Sequence, residues 1–220
     1  MTPRKYVDRD DALVALARGR RVLHLGCVGH TDIAQVDRIR LATDTLHSRL
    51  SSVSDVIGID YSAETLRVLQ NDGLFTNAIA GNVERLEEVS ISGPFDLIVA
   101  GDIIEHLSNP GLMLEGAKRF CTPQTTLAIS TPNAFGLPGF VRYFLGGFRE
   151  GDEHVMSFNR FNLDNLLVRH GYEVFELSTC HQGNAETIMS KPLFTVGKRV
   201  FQSMPKLGGT LLALARLASG

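Results

Sequence analysis

Short runs of Val, Ile and Leu recur along this chain with helix-patterned segments between them, and that alternation constrains its fold more than any other feature. The runs fall at 21–25 (RVLHL), 55–60 (DVIGID), 77–80, 95–100 (FDLIVA), 125–131 (TTLAIST), 172–178 and 210–217. A strand that is apolar along its whole length must be buried on both faces. Seven such runs separated by helices therefore predict an α/β chain, one mostly parallel sheet with helices on both sides. Between the first two runs, Ile39, Ala42, Leu46, Leu50 and Val53 recur at three- and four-residue steps and share one helical face. Ser62 can open a helix that Gly73 ends, and Asn109-Pro110 opens another through Leu112, Leu114 and Ala117 toward Phe120. Leu163, Leu166, Leu167 and His170 mark a last helix before Gly171. No repeat or linker interrupts the series, so residues 1–220 read as a single domain.

Composition narrows the partners. The 220 residues are 44% hydrophobic and 21% charged, which is ordinary for one soluble globular domain. Lys plus Arg number 22 against 24 Asp plus Glu, so a net charge of −2 provides no general attraction to phosphate, and nucleic acid is not an expected partner. Cys27, Cys121 and Cys180 lie far apart with no disulfide rhythm, which predicts a reducing compartment and hence the cytoplasm. The opening MTPRKYVDRDDALVALARGRR holds no long apolar core and no stretch of about 18 apolar residues occurs anywhere, so neither a secretion signal nor a transmembrane segment is expected.

The first strand runs directly into Gly26-Cys27-Val28-Gly29-His30. Glycines there let the backbone approach a ligand at the carboxyl edge of a parallel sheet, although a tight turn alone would also call for them. The spacing is not the GxGxxG of dinucleotide sites. Asp60 ends the second strand, where an acid can accept from both hydroxyls of a ribose or cap the next helix. Together the two features describe an adenosine site. After the fourth strand, Asp102, Glu105 and His106 fall on one face of a helix, with Ile103, Ile104 and Leu107 opposite. Two carboxylates and an imidazole suit Mg²⁺ or Mn²⁺, or they cap backbone groups without a metal. Residues 134–153 carry Phe135, Phe140, Tyr143, Phe144 and Phe148 among glycines and read as a substrate lid or a small satellite core. His170 suits a helix end, His47 a helix surface or packing position, and His181 is open. A short basic amphipathic stretch at 194–201 allows a membrane-surface role.

From Arg21 to Val174 the chain resembles the class I S-adenosylmethionine-dependent methyltransferases. RVLHLGCVGH is similar to their first motif, commonly VLDLGCGxG; VIGIDYS to the second; FDLIVAGDIIEHLSNP to the fourth. STPN after the fifth strand, and the H-x-x-x-F of His154 to Phe158 before a leucine-rich helix and GYEV, also match. The chain looks most like the small-molecule O-methyltransferase branch, including relatives in glycan and antibiotic pathways. The resemblance implies a Rossmann-like seven-stranded sheet whose last strand, 210–217, is antiparallel, and S-adenosylmethionine as cofactor. It implies that Gly26 and Gly29 face the methionine part, Asp60 the ribose, Tyr61 the adenine face, Asn82 and Val83 the adenine edge, with Gly101 at the cofactor side of strand four. The chain departs from the family at His24, where the family has an acid, and at Val28 and His30, where it has glycines. Ubiquinone-pathway and small-RNA 2′-O-methyltransferases carry a similar D-x-x-E-H group with a later histidine, and His154 falls at that histidine. The implied metal set is Asp102, Glu105, His106 and His154, with His106 and His154 the candidate general bases. The expected activity is methyl transfer to an oxygen of a small-molecule or glycan-like acceptor. The alternative is a noncatalytic adenosyl- or nucleotide-binding protein of the same fold.

Overall fold

A computed structural model describes residues 8–29, 45–146, 151, 153–181, 201, 203–204 and 206–219. Helix α1 (Arg9–Ala17) leads into β1 (Arg21–Leu25), α2 (Leu46–Ser51), β2 (Asp55–Asp60), α3 (Ala63–Asn71) and β3 (Ala78–Ala80). Then follow β4 (Leu97–Gly101), α4 (Pro110–Ala117), β5 (Thr126–Pro132), α5 (Leu137–Phe144), α6 (Arg160–Arg169), β6 (Tyr172–Cys180) and β7 (Thr210–Leu217). The strands form one sheet in the order β3-β2-β1-β4-β5-β7-β6. The pairs among β1 to β5 are parallel, and β7 runs antiparallel between β5 and β6. This is the expected α/β architecture with its antiparallel last strand.

The period of two along each strand sorts the layers. Val22, Leu97, Val99, Ala128, Leu212 and Leu214 pack on one side, against Leu13 and Ala17 of α1 and Leu50 of α2. Their neighbours Leu23, Leu25, Ile98, Ala100, Ile129 and Ala213 pack on the other, against Leu114 of α4 and Leu163 and Leu167 of α6. Leu66 and Leu69 of α3 close over Cys27, Val28 and Ala78. None of the described helices is long and apolar enough to cross a membrane.

Details differ from the sequence reading where local hydrogen bonding decides. Of the helix expected across 39–53, Leu46–Ser51 is described, while Ile39, Ala42 and the 194–200 portion of the basic stretch lie outside the described residues. Strand β6 extends two residues beyond the expected end, to Cys180, because β7 supplies a partner at Thr210. Ser62 stands at the start of α3, yet its hydroxyl donates to Thr65 Oγ1 and makes no cap bond to the backbone.

The end of β1 is the tightest point. Gly26 has φ +73, and a Cβ there would lie 2.5 Å from Ile103 Cδ1. Gly19 has a similar φ of +69 with nothing within 4 Å of such an atom. Gly19→Ala should therefore lose roughly 1 kcal/mol, the left-handed backbone term alone. Gly26→Ala should lose about 2 to 4 kcal/mol, because overpacking adds to strain. Urea unfolding of both variants measures the difference; equal losses would mean that Ile103 yields freely.

Candidate active site

The carboxyl ends of β1 and β4 flank the point where strand order reverses, since the chain passes from β1 outward to β2 and β3, then back to β4 and β5. In an open α/β sheet that crevice is where ligands bind.

On its first side lies the Gly26 to Gly29 turn. Gly26 and Cys27 both donate their N–H groups to the Ile59 carbonyl, at 2.8 and 3.2 Å. Val28 N–H donates to Asp60 Oδ2 at 2.9 Å, and Ser62 N–H to Oδ1 at 3.1 Å. Asp60 is thus a buried fastener between the turn after β1 and the turn after β2. Burial pushes its carboxyl up, and the backbone N–H groups offset only part of that rise. With the Tyr61 N–H also bonded to it, about one of the roughly four acceptor positions on a carboxylate remains. Tyr61 stands 68% exposed at the same edge. Asn82 Oδ1 accepts the Glu84 N–H at 2.9 Å and caps the short turn Val83–Glu88, while the Val83 side chain is buried in the core. Gly101, half-buried, ends β4 beside Ser130.

On the second side the expected helix is replaced by a single 3-10 turn, Ile104–His106. Asp102 is the cause: its φ of +49 interrupts helical geometry. Its Oδ1 accepts from Ser130 Oγ at 2.7 Å, and its Oδ2 lies 2.5 Å from Arg9 Nη1. Asp102 is therefore held by β5 and α1, apart from the cluster that the even helical spacing placed it in. Glu105 is buried, and its Oε2 accepts from Thr131 Oγ1 at 3.0 Å. Its Oε1 has no hydrogen-bond partner among the described residues. Val155 and Met156 donate their N–H groups to the Glu105 carbonyl at 2.9 and 3.2 Å, which brings the 153–158 segment against the turn. As a result the His106 and His154 rings meet edge to face with centroids 4.7 Å apart. Ligand atoms of Glu105, His106 and His154 all lie within 4.8 Å of one another. Burial and the nearby charge of Asp102 push the Glu105 carboxyl up to about 8, so it is protonated at neutral pH.

Glu105 and His154 line a cleft of about 160 Å³ with Thr131, Asn133, Pro138 and Met156. The aromatics expected to line it do not. Phe140, Tyr143 and Phe144 of α5 are 59%, 71% and 78% exposed, and the wall is made by Pro138 and Gly139 of that helix. Phe148 lies outside the described residues. His170 sits at the C-terminus of α6 with Nδ1 2.8 Å from Glu115 Oε1, a structural position. His181 ties α1 to the end of β6: its carbonyl accepts the Arg9 N–H at 2.7 Å. Sequence reasoning missed Arg9, whose charged N-terminal surroundings carry no motif, and it quoted Ser130 and Thr131 within STPN without a role.

Comparison with known proteins gives the site a family. Residues 3–177 match the family described as a methyltransferase domain. The chain is 31% identical over 114 residues to the mitochondrial ubiquinone biosynthesis O-methyltransferase of Candida albicans, a match covering 50% of this chain and 33% of that relative's length. Its fold is similar to that of an S-adenosylmethionine-dependent methyltransferase of Thermotoga maritima, with TM-score 0.61, 15% identity and coverage of 97% and 89% of the two chains. It is also similar to magnesium protoporphyrin IX methyltransferase of Synechocystis, solved with S-adenosylhomocysteine, at TM-score 0.56, 15% identity and 96% and 82% coverage.

The raised Glu105 carboxyl has a testable thermodynamic sign. Between its ordinary range near 4.5 and about 8 the folded protein holds a proton that the unfolded chain has released. Wild type should therefore lose stability relative to Glu105→Gln as pH rises through that window, with no change in the difference below it. Urea unfolding across the pH series checks this, and a difference that stays flat would place Glu105 in a wetter setting.

Proposed function

Because the chain belongs to the methyltransferase-domain family, we propose that it transfers the methyl group of S-adenosylmethionine to a hydroxyl oxygen of a small-molecule acceptor. The observation that carries this reading is the cleft bearing Glu105 and His154 directly beside the strand-order reversal. A donor across the carboxyl ends of β1, β2 and β4 would place its sulfonium next to an acceptor in that cleft. The match to an O-methyltransferase supports oxygen as the accepting atom. The near-even charge balance supports a small acceptor over RNA.

The residues divide the work. Gly26 and Gly29 let backbone approach the methionyl part, Asp60 offers its remaining acceptor position to the ribose, and Tyr61 offers a ring face to the adenine, with Asn82 and the Val83 backbone at its edge. Gly101 ends β4 at the same edge, and a Cβ there would meet Leu46 Cδ2 of α2 at 3.2 Å. Holding donor and acceptor in line supplies most of the acceleration. The acceptor oxygen forms a bond to the methyl carbon as the carbon–sulfur bond breaks, and sulfur keeps the electron pair in S-adenosylhomocysteine. The hydroxyl proton passes to an imidazole, His154 at the cleft wall or His106 behind it. Residues 134–146 would cover the acceptor, with Pro138 and Gly139 as the wall and the exposed α5 aromatics available to an apolar portion of it.

A second reading has its own observation. The orphaned Glu105 Oε1 beside two imidazoles fits a divalent cation by donor chemistry, with Glu105, His106 and His154 as the holders and Asp102 outside the set. A cation there would lower the pKa of the acceptor hydroxyl.

The test is methyl transfer from labelled S-adenosylmethionine to a panel of small hydroxylated acceptors, with calorimetry for S-adenosylhomocysteine. Asp60→Ala should weaken binding by about tenfold or more, as charge-assisted hydrogen bonds are lost. His154→Ala should lower turnover by about 10² to 10⁴ with cofactor affinity unchanged. Chelator leaves turnover intact if the imidazole acts directly, and abolishes it if the cation reading holds. Binding of NADH but neither adenosyl ligand would sink both readings.

A further inference from the structure

The backbone around His154 is fixed on both sides, but those bonds leave open where the imidazole points. His154 N–H donates to the Gly151 carbonyl at 2.9 Å, which closes a tight turn over 151–154, and the next two N–H groups, of Val155 and Met156, donate to the Glu105 carbonyl. The ring ends edge to face against His106, with centroids 4.7 Å apart, at the wall of the acceptor cleft. One neighbour leaves it the space to do so. A Cβ at Gly151 would lie 2.9 Å from His154 Nε2, 3.0 Å from Cδ2 and 3.3 Å from Cε1.

These three distances describe a glycine laid against the imidazole. The two shorter ones fall well inside the ~3.5 Å at which nonbonded heavy atoms pack best, so any side chain at 151 competes with the ring for the same space. Gly151 is exposed, and burial makes no demand for a glycine there. Gly136 is the opposite case: a Cβ on it would meet the Gly208 carbonyl oxygen at 2.7 Å and the Asn133 carbonyl oxygen at 3.0 Å, so main chain would have to move. At 151 the part that yields is the far end of a side chain with two rotatable bonds. That side chain is the proposed proton acceptor.

We propose that Gly151 is a positioning residue for methyl transfer: by offering no side chain, it seats the His154 imidazole against His106 at the wall of the acceptor cleft. This rests on the proposed role of His154. Proton transfer needs an imidazole nitrogen within about 2.6 to 3.2 Å of the reacting hydroxyl. A misplacement of about 1 Å can cost about 10² in rate. The same seat serves a cation held by Glu105, His106 and His154, whose ligand atoms gather within 4.8 Å of one another. Gly151 itself lines the cleft, so a side chain there would act in a second way if it took up room meant for the acceptor. Kinetics separate the two.

The variants are Gly151→Ala, His154→Ala and the two combined, assayed with labelled S-adenosylmethionine and whichever acceptor of the panel is methylated. Gly151→Ala should lower kcat by about 10- to 100-fold, with the KM for the acceptor and the affinity for S-adenosylhomocysteine unchanged. In the His154→Ala background the ring is gone, so the same substitution should change kcat by no more than about twofold. A raised KM with kcat intact would mean that the added methyl only fills the cleft. An equal loss in both backgrounds would mean that the backbone of the turn itself requires glycine. Either result, or an unchanged kcat, would overturn the role of Gly151.

A second readout needs no acceptor. The His154 ring stands edge to face with His106, so each ring shifts the proton resonances of the other. The His106 Cε1–H signal, assigned by its disappearance in His106→Ala, should move in Gly151→Ala toward its position in His154→Ala. Adding Gly151→Ala to His154→Ala should leave it in place. A signal that stays at its wild-type position in Gly151→Ala would overturn the seating even where turnover falls. If instead His154→Ala turns over at the wild-type rate, the proposed proton acceptor fails, and this inference with it, whatever the His106 signal shows.

Discussion

The carboxylate of Asp102, held between the Arg9 guanidinium and the Ser130 hydroxyl, is the contact on which the rest of the site depends. It fixes a residue with φ +49 at the end of β4, and this bend turns the following residues into a 3-10 turn instead of a helix. The turn presents Glu105 to the cleft and places His106 against His154. A mostly buried ion pair is poor value as a source of net stability, because desolvation offsets attraction. Its worth here is positional: three elements, α1, β4 and β5, are pinned at one point. Removing one partner alone would leave the other charge unpaired, which is the costly outcome.

Around that pair the site is kept electrically quiet. Glu105 is a neutral acid at neutral pH, and His24 and His47 are neutral bases, each because burial penalises the charged form. Such a setting suits a reaction whose donor is a sulfonium cation. Fixed dipoles and lone pairs can orient the donor, and no strong local anion need be desolvated when it enters. In the proposed function, proton acceptance is assigned to the half-buried His154 and His106, which lie beside Glu105 after β4.

Most of the sheet was legible in the sequence because fully buried strands write themselves as unbroken apolar runs: Leu97 to Ala100 and Leu211 to Ala215 admit few other readings. The edge proposed for the cofactor could be located for a related reason, since Gly26 follows β1 and Asp60 ends β2, both placed by the same runs. Helical spacing misled at Asp102, where a partner 93 residues away decides the backbone and no local pattern reports it. The α5 aromatics misled in the opposite sense. Phe140, Tyr143 and Phe144 form an apolar face, but position relative to the cleft is a tertiary fact, and it falls to Pro138 and Gly139. The Arg9–Asp102 pair and the buried His24–His47 and His47–Asn77 contacts were invisible because each joins residues far apart along the chain.

The central claim is that a methyl donor over the Gly26 turn faces an acceptor cleft bearing Glu105 and His154. A crystal structure of the protein with S-adenosylhomocysteine measures this directly. The account predicts the ribose at Asp60 and the sulfur between Gly26 and Gly101, with the position of the missing methyl directed toward His154. An adenosyl ligand bound elsewhere, or a sulfur turned away from the cleft that Glu105 lines, would contradict it.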